Sequence, residues 1–292
     1  MLSSPGMQQP HSFVYFGTPG VASGTLETLI EHGFVPALVV TALDAPRGRG
    51  LVLTPSETKV AAEAHDIPVI TPEKLTDDVI ATIREHGCDY AVVVAYGKIF
   101  PEALIAAFPK GVLNVHYSLL PKYRGATPLE AALLAGEKET GVTVQKMAKE
   151  LDAGDIVVQK AVPVAQSETA LELRPKLITL GAELLADTLL AYLAGDIAPV
   201  AQNASLATHS HKLKKEDGLL ELGAPAEENW NKYRAYADSI GTYFFSARGG
   251  SAPGGEKRMK ITKASFEHGK FVVERVIPEG KREMDYTDFV RN

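Results

Sequence analysis

Residues 90–95 read Tyr-Ala-Val-Val-Val-Ala, a continuous apolar run about as long as one β-strand. Similar runs occur at 13–16 and 36–41, a further strand-like segment, Gly-Val-Leu-Asn-Val-His, lies at 111–116, and segments with helical periodicity lie between them. Strands that are apolar throughout, rather than alternating with polar residues, are typical of a parallel sheet covered by helices on both faces. The sequence therefore predicts an α/β fold with a Rossmann-like, mostly parallel sheet.

The chain changes character near residue 203. A long helical pattern at 170–194 ends at Gly195, and because proline suits the first turn of a helix, Pro175 predicts that the helix proper begins near Arg174. After residue 208 the apolar segments are short and strand-like. We therefore predict a disordered tail at 1–12, an α/β domain at 13–203 and a β-rich domain at 209–292.

Charge and composition limit the possible partners. The 292 residues carry a net charge of −6, which argues against a general nucleic-acid binder. The charge is uneven, with −8 on residues 1–208 and +2 on residues 209–292; this indicates either two parts with different partners or two ordinary solvated surfaces. One cysteine and no apolar run of about 18–20 residues favour a cytoplasmic protein without a membrane segment. We take a monomer as the default.

Two segments carry side chains suited to catalysis. Asn114 and His116 end the strand at 111–116, and residues two apart on a strand point to the same face. The carboxyl end of a parallel strand is where ligands bind in open α/β sheets, although a purely structural Asn/His pair would give the same pattern. Asp152 lies in the glycine-containing turn 151–155, where it either orients a histidine or forms an Asx-turn.

Taken together, several motifs resemble the formyltransferase family that uses 10-formyltetrahydrofolate. They are Asn114-x-His116, Ser118-Leu119-Leu120-Pro121, Arg124-Gly125-x-x-Pro128, Glu139-Thr-Gly-Val-Thr143 and Leu151-Asp152-x-Gly154-Asp155, in this order. The resemblance covers residues 13–222 well. It implies the family fold at 13–203, followed by a small, OB-like β-barrel that is shortened here because about 84 residues follow Thr208.

The resemblance also implies roles for individual residues. Asn114, His116 and Asp152 match the catalytic residues of the family, which move a formyl group from the folate to an amine without a covalent enzyme intermediate. Ser118, Leu119, Leu120 and Pro121 match the loop that contacts the folate, and no metal is implied. The residue after His116 is the bulky Tyr117, where the family usually has a small residue.

A further likeness selects the acceptor. Gly48-Arg49-Gly50, with Leu53-Thr-Pro-Ser56 and Lys59, resembles the insertion loop of family members that formylate methionyl initiator tRNA. Lys215-Glu-Asp-Gly218 resembles the start of their C-terminal domain. The resemblance implies tRNA contacts by Arg47 and Arg49, and a tRNA-binding domain at 209–292. The alternative acceptor is a sugar-nucleotide amine, which would use the same three catalytic residues.

Overall fold

The structure is a computed structural model that describes residues 11–48, 50–247 and 256–291. Within this part of the chain, the strands in chain order are β1 (Phe13–Gly17), β2 (Leu38–Val40), β3 (Ala45–Arg47), β4 (Val52–Thr54), β5 (Val69–Ile70), β6 (Tyr90–Val94), β7 (Val112–His116), β8 (Arg124–Gly125), β9 (Glu139–Lys146), β10 (Asp155–Pro163), β11 (His209–Ser210), β12 (Thr242–Ser246), β13 (Lys257–Glu267), β14 (Lys270–Pro278) and β15 (Met284–Asp285). The helices are α1 (Gly20–Glu31), α2 (Glu57–Ala64), α3 (Asp77–Glu85), α4 (Glu102–Ile105), α5 (Pro128–Leu134), α6 (Ala170–Ala194), α7 (Ala226–Tyr236) and α8 (Tyr286–Arg291).

The chain divides into two compact units. The first takes the described residues up to Arg124, together with Gly141–Ala161 and Lys176–Thr208. The second takes Gly125–Thr140, Val162–Pro175 and the described residues from His209 onward. The C-terminal segment therefore shares its unit with two shorter segments from the middle of the chain. Residues 1–10 of the predicted tail lie outside the described residues.

A seven-stranded sheet organises the fold, in the order β10-β9-β7-β6-β1-β2-β5. The pairs β1–β2, β1–β6, β2–β5 and β6–β7 are parallel, and β7–β9 is antiparallel. The apolar strands predicted from the sequence thus form a mostly parallel sheet, which confirms the predicted fold class. The parallel order brings the carboxyl ends of β1, β6 and β7 to one edge.

Helices cover both faces of this sheet. On one face, residues of β1, β2, β6 and β7 pack against Ile80 and Ile83 of α3 and Leu104 of α4. On the other face, the hydroxyl of Tyr15 donates to the carbonyl of Ala22 in α1, at 2.6 Å. Burial on both faces explains why β1, β2 and β6 carry no charged or amide side chain.

Helix α6 differs from the sequence prediction at its start. It begins at Ala170, so that Pro175 lies inside the helix rather than in its first turn. Among the described residues, α6 is the one helix long and apolar enough to cross a membrane, by length and composition alone. Its Leu177, Leu185 and Leu189 are fully buried in the protein, as expected for a helix that packs on a sheet.

The second unit contains an antiparallel sheet in the order β12-β13-β14-β15. Trp230 and Tyr233 of α7 pack with Met259, Ile261 and other apolar residues of this sheet to form a separate core. A small β-barrel, as expected from the sequence, is consistent with this antiparallel sheet.

Candidate active site

Asn114 and His116 lie at the carboxyl end of β7, a strand inside the sheet. Val112, two residues before Asn114, belongs to the core cluster on the face covered by α3 and α4. Since side chains alternate along a strand, Asn114 and His116 point to that same face, beyond the end of the core. The pair therefore lies together where β7 ends, as the sequence predicted.

The imidazole of His116 is buried, with 5% of the residue exposed. Its Nε2 lies 2.9 Å from the main-chain carbonyl oxygen of Tyr123. A carbonyl oxygen only accepts hydrogen bonds, so Nε2 carries a proton and donates it to this oxygen. In the neutral ring Nδ1 is then unprotonated, and it lies 3.7 Å from Oδ2 of Asp152.

Burial lowers the pKa of His116 below its ordinary value, because removal from water disfavours the charged imidazolium. The Asp152 carboxylate and the Tyr123 carbonyl act in the opposite direction, and burial outweighs them. His116 is therefore neutral at physiological pH, with Nδ1 ready to take up a proton. The nearby carboxylate stabilises the imidazolium that would form.

Asp152 lies in the turn between β9 and β10. Its backbone φ of 50° is in the left-handed region, which residues other than glycine rarely adopt. The amide nitrogen of Gln145 donates to Oδ1 of Asp152 at 3.0 Å. Gly154 is required in the same turn, because a Cβ atom there would lie 1.8 Å from the carbonyl oxygen of Lys146.

The side chain of Asn114 is half-buried and forms no hydrogen bond within the part of the chain that the structure describes. Its cross-strand partner is Gln145 on β9. Gln145 is 1% exposed, and its Oε1 is buried without a partner among the described residues. Unpartnered polar groups at the end of a strand are suited to binding a polar substrate.

The predicted folate loop is held by a local hydrogen bond and by hydrogen bonds with side chains of β9 and β10. The hydroxyl of Ser118 donates to the carbonyl of Lys122 at 2.6 Å, and Ser118 and Leu120 are both buried. Thr143 accepts from the main-chain nitrogen of Leu120 at 3.1 Å. Leu119 and Pro121 are partly exposed, so these two residues offer most of the side-chain surface of the loop. The Leu120–Pro121 peptide bond is cis.

The ring of Tyr117 lies on the opposite face of the strand from His116. Its ring lies 3.3 Å from the position that a Cβ atom of Gly181 in α6 would take. Consecutive residues of a strand point to opposite faces, so Tyr117 packs towards α6. The bulk of Tyr117 is therefore directed away from the space around Asn114 and His116.

The predicted tRNA loop forms a hairpin at its base. The glycines of Gly48-Arg49-Gly50 favour a loop without regular structure. The residues on either side of it nevertheless form the antiparallel strands β3 and β4, in which Ala45 faces Thr54 and Arg47 faces Val52. The guanidinium of Arg47 forms an ion pair with Glu57, and both side chains are nearly half exposed. Arg49 lies outside the described residues.

Sequence reasoning missed three groups that contact the catalytic residues. They are the carbonyl of Tyr123, the side chain of Gln145 and the side chain of Gln202, whose nitrogen donates to the carbonyl of Asp152 at 2.9 Å. The spacing of Thr143 and Gln145 places both on one strand face, but only the register of β9 against β7 brings Gln145 beside Asn114. Among the described residues, no cluster of three or more histidine, cysteine or acidic side chains could hold a metal ion.

Comparison with known proteins shows the family of this chain. The family model described as formyl transferase matches residues 13–189, which include Asn114, His116 and Asp152. The chain belongs to the formyl transferase family. The curated relatives it resembles are methionyl-tRNA formyltransferases: those of Citrifermentans bemidjiense and Symbiobacterium thermophilum are each 37% identical to it, over 95% of this chain and 92% and 91% of their own lengths, respectively.

Solved structures show the same fold at lower sequence identity. A Helicobacter canadensis N-formyltransferase in complex with folinic acid and dTDP-3-aminofucose has a TM-score of 0.64, at 18% identity, over 88% of this chain and 89% of its own. A methionyl-tRNA formyltransferase from Clostridium thermocellum has a TM-score of 0.59, at 15% identity, over 92% of this chain and 99% of its own. At these identities the structures establish the fold alone.

Proposed function

We propose that this enzyme transfers the formyl group of 10-formyltetrahydrofolate to the α-amino group of methionyl initiator tRNA. The product, formylmethionyl-tRNA, serves the initiation of translation. The choice of acceptor is supported by full-length relatives at 37% identity that are methionyl-tRNA formyltransferases. We further propose that the enzyme acts as a cytoplasmic monomer.

The chemistry is carried by one observation: a neutral, buried imidazole lies between an acceptor carbonyl and a carboxylate, next to an unpartnered amide. The formyl folate supplies an electrophilic formyl carbon. The amine attacks this carbon, the new C–N bond forms, and the bond to the folate nitrogen breaks. One proton must leave the amine, and one must reach the folate nitrogen.

Each of the three residues has a part in these steps. The Asn114 amide donates to the formyl oxygen as negative charge develops on it. His116 takes the proton of the amine on Nδ1, because Nε2 is already engaged with the carbonyl of Tyr123. Asp152, at 3.7 Å from Nδ1, stabilises the resulting imidazolium, which then passes its proton to the leaving nitrogen.

The residues around the site are compatible with a bound folate. The half-buried amide of Asn114 has no partner among the described residues, and a polar group of the formyl folate would satisfy it. We assign folate contacts to the loop 118–121, through its exposed members Leu119 and Pro121 and through its main chain. Ser118 supports the conformation of this loop.

We assign tRNA contacts to Arg47, Arg49 and the C-terminal unit. Phosphates suit the planar, permanently charged guanidinium, and the segment 209–292 carries a net +2 in a chain of net −6. Arg47 must exchange Glu57 for a phosphate to make its contact. This exchange costs little free energy, because exposed ion pairs such as Arg47–Glu57 contribute only about 0–1 kcal/mol to stability.

The test is a purified assay with formyl-labelled 10-formyltetrahydrofolate and two acceptors. We expect the label on charged initiator tRNA and none on a nucleotide amino sugar. Transfer to the amino sugar alone would replace the proposed acceptor by the alternative one. Transfer to neither acceptor would contradict the proposal as a whole.

A further inference from the structure

Two glutamine side chains hold Asp152 from different directions. Gln145, on β9, donates from Nε2 to the carboxylate oxygen Oδ1 at 3.0 Å. Gln202 follows α6 in the chain, and its Nε2 donates to the main-chain oxygens of Asp152 at 2.9 Å and of Gly154 at 2.7 Å. One amide thus fixes the charged group of Asp152, and the other fixes its backbone.

The direction of both amides follows from their partners. Carboxylate and carbonyl oxygens only accept hydrogen bonds, so the NH2 group of each glutamine must face Asp152. The Oε1 of Gln202 is also engaged, because it accepts from Nε and Nη2 of Arg124 at 3.1 and 2.8 Å. Arg124 is itself buried, so this second contact is shielded from water.

The orientation of the Gln145 side chain lowers the stability of the folded protein. With Nε2 facing Asp152, its Oε1 is buried without a partner among the described residues. An unsatisfied buried acceptor is destabilising, and a methionine of similar length would avoid it. A glutamine at this position therefore serves the carboxylate of Asp152 rather than the stability of the core.

Asp152 needs such support for two reasons. Its left-handed backbone, with φ at 50°, is unfavourable for a residue with a side chain and persists only where surrounding contacts enforce it. Its carboxylate also lies 3.7 Å from Nδ1 of His116, beyond ordinary hydrogen-bond length, so the imidazole does not itself fix the carboxylate. The two glutamines supply the restraint.

We propose that Gln145 and Gln202 are positioning residues that hold the Asp152 carboxylate at its working distance from His116. This inference rests on the proposed function of Asp152. Neither glutamine needs to touch the reacting atoms. Their effect on the reaction therefore depends on the charge of Asp152 and falls on kcat rather than on KM for the formyl donor.

The experiment is a double-mutant cycle on formyl transfer to charged initiator tRNA. The four proteins are the wild type, Gln145→Met, Asp152→Asn and the double variant. Gln145→Met keeps the length of the side chain and removes its donor, and Asp152→Asn keeps the shape and removes the charge. We expect Gln145→Met alone to lower kcat about tenfold, as for a lost hydrogen bond to a charged group, with KM for the donor unchanged. In the Asp152→Asn background it should cause no further loss.

A second pair of variants isolates the contacts of Gln202. Gln202→Glu keeps an acceptor for Arg124 and loses the donor to Asp152 and Gly154, whereas Gln202→Met loses both. Equal kcat losses in the two variants assign the effect to the Asp152 turn. A loss confined to Gln202→Met would assign it to Arg124 and overturn this part of the proposal.

Ile83→Val, a core change beneath the sheet, serves as the matched control for general loss of stability and should leave kcat unchanged. If Gln145→Met slows Asp152→Asn by the same factor as the wild type, the glutamine acts independently of the carboxylate and the positioning role is wrong. If Asp152→Asn itself turns over at the wild-type rate, the proposed function of Asp152 fails instead. The two failures are thus distinguished by one set of rates.

Discussion

His116 Nδ1 lies 3.7 Å from Oδ2 of Asp152, close enough for charge stabilisation and too far for a strong hydrogen bond. The ring is oriented mainly by the carbonyl of Tyr123, which accepts from Nε2 at 2.9 Å. This arrangement leaves Nδ1 as the atom of His116 that exchanges a proton.

Asn114→Ala should lower the single-turnover rate of formyl transfer by about 10²–10³, the usual effect of removing one oxyanion donor. Thermal stability should change little, because the Asn114 amide forms no hydrogen bond within the described residues. Asn231→Ala is the matched control, because Asn231 accepts a hydrogen bond from the buried Arg234 at 3.0 Å. Loss of this bond should destabilise the protein by about 1–3 kcal/mol and leave the single-turnover rate unchanged. If Asn114→Ala instead loses stability and the folded fraction keeps its rate, Asn114 is structural.

The buried His116 makes stability depend on pH. In the unfolded chain it titrates at its usual pKa, and in the folded protein its pKa is lower because of burial. Between these two values the unfolded chain binds a proton that the folded protein does not. Stability is therefore full above a pH of about 6.5 and falls as the pH drops below it, by at most about 1.4 kcal/mol per pH unit, until the folded pKa is reached. Urea unfolding from pH 5 to 8 should show a shallower dependence for His116→Gln, and identical curves would contradict the burial of a neutral imidazole.

Gly154→Ala should disturb the Asp152 turn. The new Cβ would lie 1.8 Å from the carbonyl oxygen of Lys146, which is main chain and cannot move aside easily. We expect a kcat loss of at least about tenfold together with a lower melting temperature, as for a 1 Å displacement of a catalytic group. Gly223→Ala, where the Cβ meets no atom within 4 Å, should leave both unchanged. Wild-type kinetics in Gly154→Ala would show that the turn tolerates rearrangement.

Arg47 and Glu57 test the tRNA contact. Removing a phosphate contact costs about 1–3 kcal/mol, so Arg47→Ala should weaken the use of charged tRNA by about tenfold and reduce the steepness of inhibition by salt. Glu57→Gln should act in the opposite direction, because it frees Arg47 from its present partner. Initial rates over a salt series measure both effects. Equal salt slopes in all three proteins would show that Arg47 does not contact tRNA.

Much of the first unit could be predicted from local sequence. The strand-like segment at 111–116 predicts a strand, and the two-residue spacing of Asn114 and His116 places both on one face, as observed. Local sequence does not predict an element boundary that differs from a local preference. Pro175 suits a helix start, yet α6 begins five residues earlier, at Ala170.

The supporting contacts of the site could not be predicted in this way. Gln145 faces Asp152 only because β9 pairs with β7 in one particular antiparallel register, and Gln202 reaches Asp152 from 50 residues further along the chain. Likewise, nothing near Arg47 in the sequence indicates its pairing with Glu57, which depends on how β3 and β4 lead into α2. Such contacts depend on long-range geometry, which periodicity and motif spacing do not encode.

The most direct test of the whole account is the single-turnover rate of formyl transfer to charged initiator tRNA by His116→Ala. Loss of the group that takes up the amine proton should slow this step by about 10²–10⁴, while the variant remains folded and still binds the folate. Circular dichroism and folate binding establish the two conditions. A folded, folate-binding His116→Ala that transfers the formyl group at the wild-type rate would contradict the assignment of the site.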